Sequence, residues 1–314
     1  MKAAKQWEVI TVGDVFLDIV LGGFTHWPQP GEEIEAANLR YEAGGGAAIT
    51  ACGLAKLGHK TAILAAVGAA DSAWFRARLA SYGVAVEGLQ PHPTEPTAVT
   101  VSVSTPQDRA FFTYPGANRL LGELLKEPSA RQLLQQAAHI HLATTPAADT
   151  LVELTTELQR AGCSLSLDAG WHPDWLTEQG VQRALLGVDL FMPNEREAAL
   201  ITRAVEPEAM LRAFAQMGLR GVALKLGARG SLLLWEERLY TCPPLTVQPL
   251  DTTGAGDCFD AGFLHAWLRA ETPLRCLQYG NICGALSTLR LGGLDGFPSA
   301  EQLQVLLDQF SAQE

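Results

Sequence analysis

Runs of apolar and β-branched residues recur along the chain: WEVITVG (7–13), TAILAAV (61–67), AHIHLA (138–143), SLSLD (164–168), VDLFM (188–192) and VALKL (222–226). They are nearly continuous rather than alternating, which predicts strands buried on both faces. Between most of them lie stretches with helical spacing, such as RQLLQQA, TLVELTTELQRAG and EAMLRAFAQMG. Strand–helix alternation of this kind predicts an α/β fold: a mostly parallel central sheet with helices on both faces. Two stretches break the rhythm. Residues 15–41 hold aromatics, prolines and the turn WPQPGEE, and residues 97–116 read as TAVTVSVS and AFFTYPG around the turn TPQD. The second alternates like an antiparallel hairpin. Together they predict one small β-element projecting from the α/β body. No low-complexity linker divides the chain, so residues 1–314 are read as a single domain with a lid.

Composition narrows the setting. The 314 residues are 47% hydrophobic and carry a formal net charge of −11. That balance argues against a nucleic-acid partner. No window is apolar for about 18 residues, so no membrane span is expected. The N-terminus lacks the features of a signal peptide. The six cysteines form no CxxC pair and read as buried free thiols of a cytoplasmic protein.

The chemistry concentrates in LDTTGAGDCFDAGF, residues 250–263. TVQPL leads in, DTTGAGD turns, and CFDAGFLHAWLRA continues with helical period. A helix N-terminus offers free N–H groups and about half a positive charge. Gly254, Ala255 and Gly256 would let an anion approach that backbone closely. An acid just inside such a loop, Asp257, suggests that the amides hold developing charge while the carboxylate takes a proton. That suits phosphoryl transfer to an alcohol. The helix dipole should keep Asp257 ionised. The plain alternative is a helix cap behind a tight turn. The chain has neither GxxxxGK[ST] nor GxGxxG, which argues against P-loop and dinucleotide-binding chemistry.

DTTGAGD resembles a signature of the ribokinase, or PfkB, family of carbohydrate kinases. GGGAAITACGLAKLG (44–58) resembles the family's other signature. VGDVFLD (12–18), PQPGE (28–32), YPGAN (114–118), PNEREA (193–198) and KLGARGS (225–231) match further family segments in order. The resemblance spans essentially the whole chain. It implies a ribokinase-like three-layer α/β/α fold with a small β lid, and an ATP-dependent kinase acting on a sugar hydroxyl with Mg²⁺.

Residue by residue, the resemblance makes Asp257 the catalytic base and Gly254, Ala255 and Gly256 the anion hole. Asp18, Gly44 and Gly45 match the acceptor-binding positions; otherwise Asp18 is a loop acid and the glycines only pack a strand against a helix. Asn194 and Glu197 match the motif that organises phosphate and Mg²⁺-bound water; they also fit a capping box. Gly227 and Gly230 match a turn lining the nucleotide. Asn281 matches a position beside the adenine, or is a solvated helix residue. Lys225 stands where many members carry Thr; it either reaches a nucleotide phosphate or covers the sheet edge with its stem. Some members use a monovalent cation, and K⁺ here would neighbour Asp251 and the Thr253 carbonyl. Ile49 replaces an Asn that grips a sugar hydroxyl; either the substrate lacks that hydroxyl, which disfavours ribose itself, or another lid residue supplies the contact.

Other patterns carry less. His139 and His141 share one strand face and are read as structural rather than metal-binding. Trp171 and Trp175 either wall a pocket or pack. Phe16, Phe24, Trp27 and Phe112 could stack on a base, which leaves a nucleoside kinase as an alternative. A catalytically silent sugar-binding regulator is the remaining one. The uncharged stretch 97–104 reads as an exposed strand edge, which predicts a homodimer through the lids.

Overall fold

Thirteen strands sort into two sheets in the computed structural model, which describes residues 5–24, 26–104 and 109–311. The strands are β1 (Trp7–Gly13), β2 (Phe16–Gly22), β3 (Asn38–Gly44), β4 (Thr61–Gly68), β5 (Ala85–His92), β6 (Ala98–Ser104), β7 (Arg109–Tyr114), β8 (Ala137–Ala143), β9 (Ser164–Asp168), β10 (Leu190–Phe191), β11 (Gly221–Lys225), β12 (Ser231–Trp235) and β13 (Arg238–Cys242). The large sheet runs β13-β12-β11-β10-β9-β8-β1-β4-β5. Its strands from β5 to β11 are parallel, and β12 and β13 add an antiparallel margin.

Near-continuous apolar strands are buried on both faces, as their composition requires. Along β1, Val9 joins the core on one side while Ile10 and Val12 join the other; along β4, Ile63, Ala65 and Val67 oppose Ala62 and Leu64. One face is covered by the helices Gly46–Lys56, Ala255–Leu268 and Pro273–Ser287, through residues such as Leu54, Phe263 and Leu277. The other is covered by Ala148–Arg160 and Pro207–Met217, through Leu151, Leu154, Met210 and Phe214. No helix among the described residues is long and apolar enough to cross a membrane. All six cysteines are free and buried, as expected.

The small sheet has the order β3-β2-β6-β7. β6 and β7 are antiparallel, as the alternation in 97–116 predicts, and the turn TPQD that joins them (105–108) lies outside the described residues. One expectation is corrected. β6 is not an edge: it lies between β2, its parallel partner, and β7. The edges of this sheet are β3 and β7.

Candidate active site

The turn 251–257 follows β13 and opens the helix Ala255–Leu268, with Gly254 as the N-cap at φ 70°. Asp251 builds the turn: its Oδ1 accepts from the Thr253 amide (2.9 Å) and hydroxyl (2.7 Å), and its Oδ2 accepts from the Gly292 amide (2.9 Å). Gly254 is required by sterics as well as by φ, because a Cβ there would lie 2.8 Å from Ile49 Cδ1.

A cavity lies on each side of this turn. The larger, about 320 Å³, is lined by Lys225, Gly227, Gly230, Ala255, Gly256 and Asn281, among others. The smaller, about 170 Å³, is lined by Asp18, Gly45, Ile49, Thr253, Gly254 and Asp257, with Phe16, Glu42, Thr100, Ser102 and Phe111 from or beside the small sheet. Residues scattered from 16 to 292 thus converge on one turn. Gly44 lines neither cavity. It packs so closely on Asp18 that an added Cβ would lie 1.9 Å from Oδ2. Gly45 holds φ 95°, and its Cβ would lie 2.3 Å from the Asp14 carbonyl oxygen.

Crowding of acids sets the electrostatics. Burial, then repulsion from Asp257, Asp251 and Glu42, pushes Asp18 up to about 7. Asp257 is likewise pushed up to about 7, by burial first and by Asp168 second, with Lys225 pulling the other way. This corrects the expectation that the helix dipole keeps Asp257 ionised. Desolvation of a buried carboxylate outweighs a terminal dipole.

Lys225 is not at a sheet edge, since β11 lies between β10 and β12. Its stem lines the larger cavity, but its Nζ donates to Asp168 Oδ2 (2.6 Å) and to Asp260 Oδ1 and Oδ2 (3.1 and 3.2 Å). Burial opposes the ammonium, yet Asp168, Asp260 and Glu197 hold its pKa above the usual range. Burial also works against the Asp168 carboxylate, and the Lys225 charge overcomes it and holds that group low. Sequence reasoning missed Asp168 and Asp260. A lone acid inside the apolar run CFDAGF, three residues after Asp257, and an acid ending the strand SLSLD were the available signals.

Asn194 and Glu197 form a complete capping box at the start of the helix Glu195–Thr202. Asn194 Oδ1 accepts from the Glu197 amide (3.0 Å), and the Asn194 amide donates back to Glu197 Oε2 (2.9 Å). Neither residue lines either of these two cavities, but Asn194 pairs with Lys225 in a parallel bridge. Burial, then repulsion from Asp168, raises Glu197 to about 7. Asn281 is buried, not solvated. Its Nδ2 donates to the carbonyls of Cys242 (3.3 Å) and Pro243 (2.9 Å), which fixes one wall of the larger cavity.

The remaining candidates disperse. His139 binds Ser164 and Ser166, and His141 binds Ser166, all inside the sheet; burial pushes their pKa values down to about 3 and about 4. Trp175 is core, donating to the Pro146 carbonyl, and Trp171 is exposed. Phe24 is buried, Trp27 and Phe112 are exposed, and Phe111 takes the cavity position expected of Phe112. The register explains it: Phe111 opposes Ser102 on the cavity face, and Phe112 opposes Val101 on the outer face.

Two cavities separated by one glycine turn at a helix N-terminus, at the carboxyl ends of parallel strands, are what a phosphotransferase to a small alcohol requires: one space for the donor, one for the acceptor. Comparison with known proteins makes the class specific. The chain belongs to the pfkB family of carbohydrate kinases, whose model matches residues 7–300. It is 30% identical over 304 residues to an ATP-dependent ribose-1-phosphate kinase of Halopiger xanaduensis, covering 96% of this chain and 98% of that protein. It is 25% identical over 312 residues to the ribokinase of Haemophilus influenzae, covering 96% and 99%. Its fold superposes on the Arabidopsis thaliana ribokinase complexed with ribose and ATP with a TM-score of 0.83, at 24% identity and coverage of 96% and 98%. The protein is an ATP-dependent sugar kinase with the ribokinase-like three-layer fold.

Proposed function

We propose that ATP lies in the larger cavity, a neutral or charged sugar-like acceptor lies in the smaller, and the γ-phosphoryl group passes across the Gly254–Asp257 turn. The position of that turn between the two cavities is the observation that carries the reading. Asp18 and the backbone at Gly44–Gly45 orient the acceptor. Its reactive hydroxyl gives its proton to Asp257 as the new O–P bond forms and ADP departs. A pKa near 7 suits this task better than an ordinary aspartate, because a base is most effective near the working pH. The amides of Gly254, Ala255 and Gly256 stabilise charge on the transferring group. Gly227, Gly230 and Asn281 shape the nucleotide wall.

Mg²⁺ suits the carboxylate at Glu197, whose oxygens already accept from Asn194, so it would be held through water. When bound with ATP it neutralises charge on the phosphates. K⁺ would sit against the Asp251 and Thr253 turn, which the Asp251 hydrogen bonds pre-shape.

The small sheet is read as the lid of a single α/β domain. Its inner face offers Thr100 and Ser102 to the acceptor. Its outer face is apolar: Leu39, Tyr41, Phe112 and Tyr114 are all exposed there. Residues paired in register, Ile19 with Tyr41 and Val101 with Phe112, extend that surface across the strands. A contiguous exposed patch of this kind marks an interface. A homodimer formed through this face, rather than through the β6 edge, covers it.

A nucleoside acceptor is the second reading, favoured by Phe16 and Phe111 in the acceptor cavity, where a base could stack. ADP release measured over a panel of sugars, sugar phosphates and nucleosides decides between them. Turnover with none of these acceptors would refute both.

A further inference from the structure

One carboxylate oxygen from each of Asp168, Asp257 and Asp260 lies within 4.8 Å of the other two. Three converging carboxylates are the donor set of a hard-cation site. Here a side chain supplies the cation: the Lys225 ammonium is within 3.2 Å of three oxygens, from Asp168 and Asp260. It lies directly beneath the anion turn, 3.6 Å from where a Cβ on Gly256 would stand. Asp257 and Asp260 share one helix face, three residues apart, so the clamp and the base are held by the same turn of backbone.

We propose that Lys225, clamped by Asp168 and Asp260, is the resident cation of this carboxylate group and the positioning residue for Asp257 and the Gly254–Gly256 turn. The proposal rests on the reading of Asp257 as the base. Without the ammonium, Asp257 would face two carboxylates across less than 5 Å with no opposing charge. Its pKa, already pushed up by burial, would rise further, and it would accept the hydroxyl proton less readily. With it, a fixed positive charge sits below the amides that receive the transferring phosphoryl group, already oriented before reaction. Stability alone is a poor reason for such a cluster, because buried ion pairs are often matched or bettered by apolar packing. Lys225 also adjoins the nucleotide cavity and, through its backbone bridge to Asn194, the capping box that carries Glu197. One residue therefore links Asp168 and Asp260 to the nucleotide cavity and to the capping box.

The test uses Lys225→Met, which keeps the stem and removes the charge. The expected result is a fall in kcat of about 100-fold with KM for ATP and acceptor held within about threefold, since a preorganised charge acts in the transition state. Lys225→Arg should recover part of the loss. Nucleotide-free Lys225→Met should gain melting temperature from added Mn²⁺, which takes the vacated carboxylates, whereas the wild type should not. A folded Lys225→Met with kcat within threefold of wild type overturns the positioning role, and no Mn²⁺ effect on it overturns the resident-cation role. If Lys225→Met does not fold, Asp260→Asn keeps the Lys225–Asp168 pair and should still lower kcat about tenfold; an unchanged kcat overturns the proposal. Asp257→Asn separates the two claims: wild-type turnover there removes the base and this inference together. Loss there, with full activity in Lys225→Met and Asp260→Asn, removes this inference alone.

Discussion

Gly44→Ala tests Asp18, the proposed acceptor acid, without replacing it. Gly44 ends β3, does not hold a left-handed φ, and can accept alanine on backbone grounds. Its new Cβ would stand 1.9 Å from Asp18 Oδ2 and 2.4 Å from Cγ. Ordinary contact needs about 3.5 Å, so the carboxyl must swing aside by roughly 1.5 Å. The obstructing atoms are the free end of a side chain, so the fold yields and the geometry of the site does not survive. A charged hydrogen bond to the acceptor hydroxyl is then lost, which costs about 1.5–3 kcal/mol, or roughly 10- to 150-fold in acceptor kcat/KM. KM for ATP should stay within about twofold, because Gly44 lies away from the larger cavity. The assay is coupled ADP release, titrating each substrate at saturation of the other. Gly45→Ala is the contrast: its Cβ would meet the Asp14 carbonyl oxygen at 2.3 Å, at φ 95°, and should unfold or broadly disable the protein. A Gly44→Ala enzyme with unchanged acceptor kinetics would show that Asp18 does not bind the acceptor.

Asp257→Asn keeps the shape of the site and loses the base, so kcat should fall about 10²–10⁴-fold while calorimetry shows ATP binding kept; near-normal turnover would leave Asp257 as a helix cap. The Asp18 carboxyl rises from an ordinary 3.8 to about 7 on folding, so its contribution to stability is full below 3.8 and is lost as pH climbs to 7. Asp18→Asn should therefore raise the apo melting temperature at about pH 8 and leave it unchanged at about pH 4, and an equal effect at both would refute the assigned burial. Light scattering should give a dimer for the wild type, and charges introduced together at Val101 and Val103 on the outer face should halve the mass; a wild-type monomer at micromolar concentration would exclude the lid dimer.

The α/β body was legible because buried parallel strands have few ways to be written. The strands that escaped did so for physical reasons. β5, AVEGLQPH, contains Gly88 and Pro91, residues that argue against a central strand; it is an edge strand, where proline is tolerated. β12 and β13 form a hairpin whose two linking residues, Glu236 and Glu237, hold φ 47° and 68°. Glycine or asparagine would have announced that turn, and glutamates do not. The order of the small sheet depends on a parallel pairing between β2 and β6, with Phe16 against Ala98, which no local pattern records. The site followed the same rule. Residues in short glycine-bearing motifs stand out as candidates in the sequence, whereas Asp168 and Asp260 sit inside apolar elements and gain meaning only when Lys225 is seen between them.

Ile49 shows how the two halves of the site constrain each other. Its absence of hydrogen-bonding groups first reads as a statement about the acceptor. In the fold it is 2% exposed and packs beneath the turn, with Cδ1 2.8 Å from the Cβ positions that Gly254 and Gly293 lack. The same side chain therefore forms part of the smaller cavity's wall and supports the glycine turn. A polar residue there would have to satisfy its donors and acceptors in a space shaped by two glycines, at the cost of a buried group left unpaired. The apolar choice is consistent with both roles at once. On the proposed reading, acceptor preference would be set by the rim of the smaller cavity, Asp18, Glu42, Thr100, Ser102 and Phe111, whose side chains do not build the glycine turn.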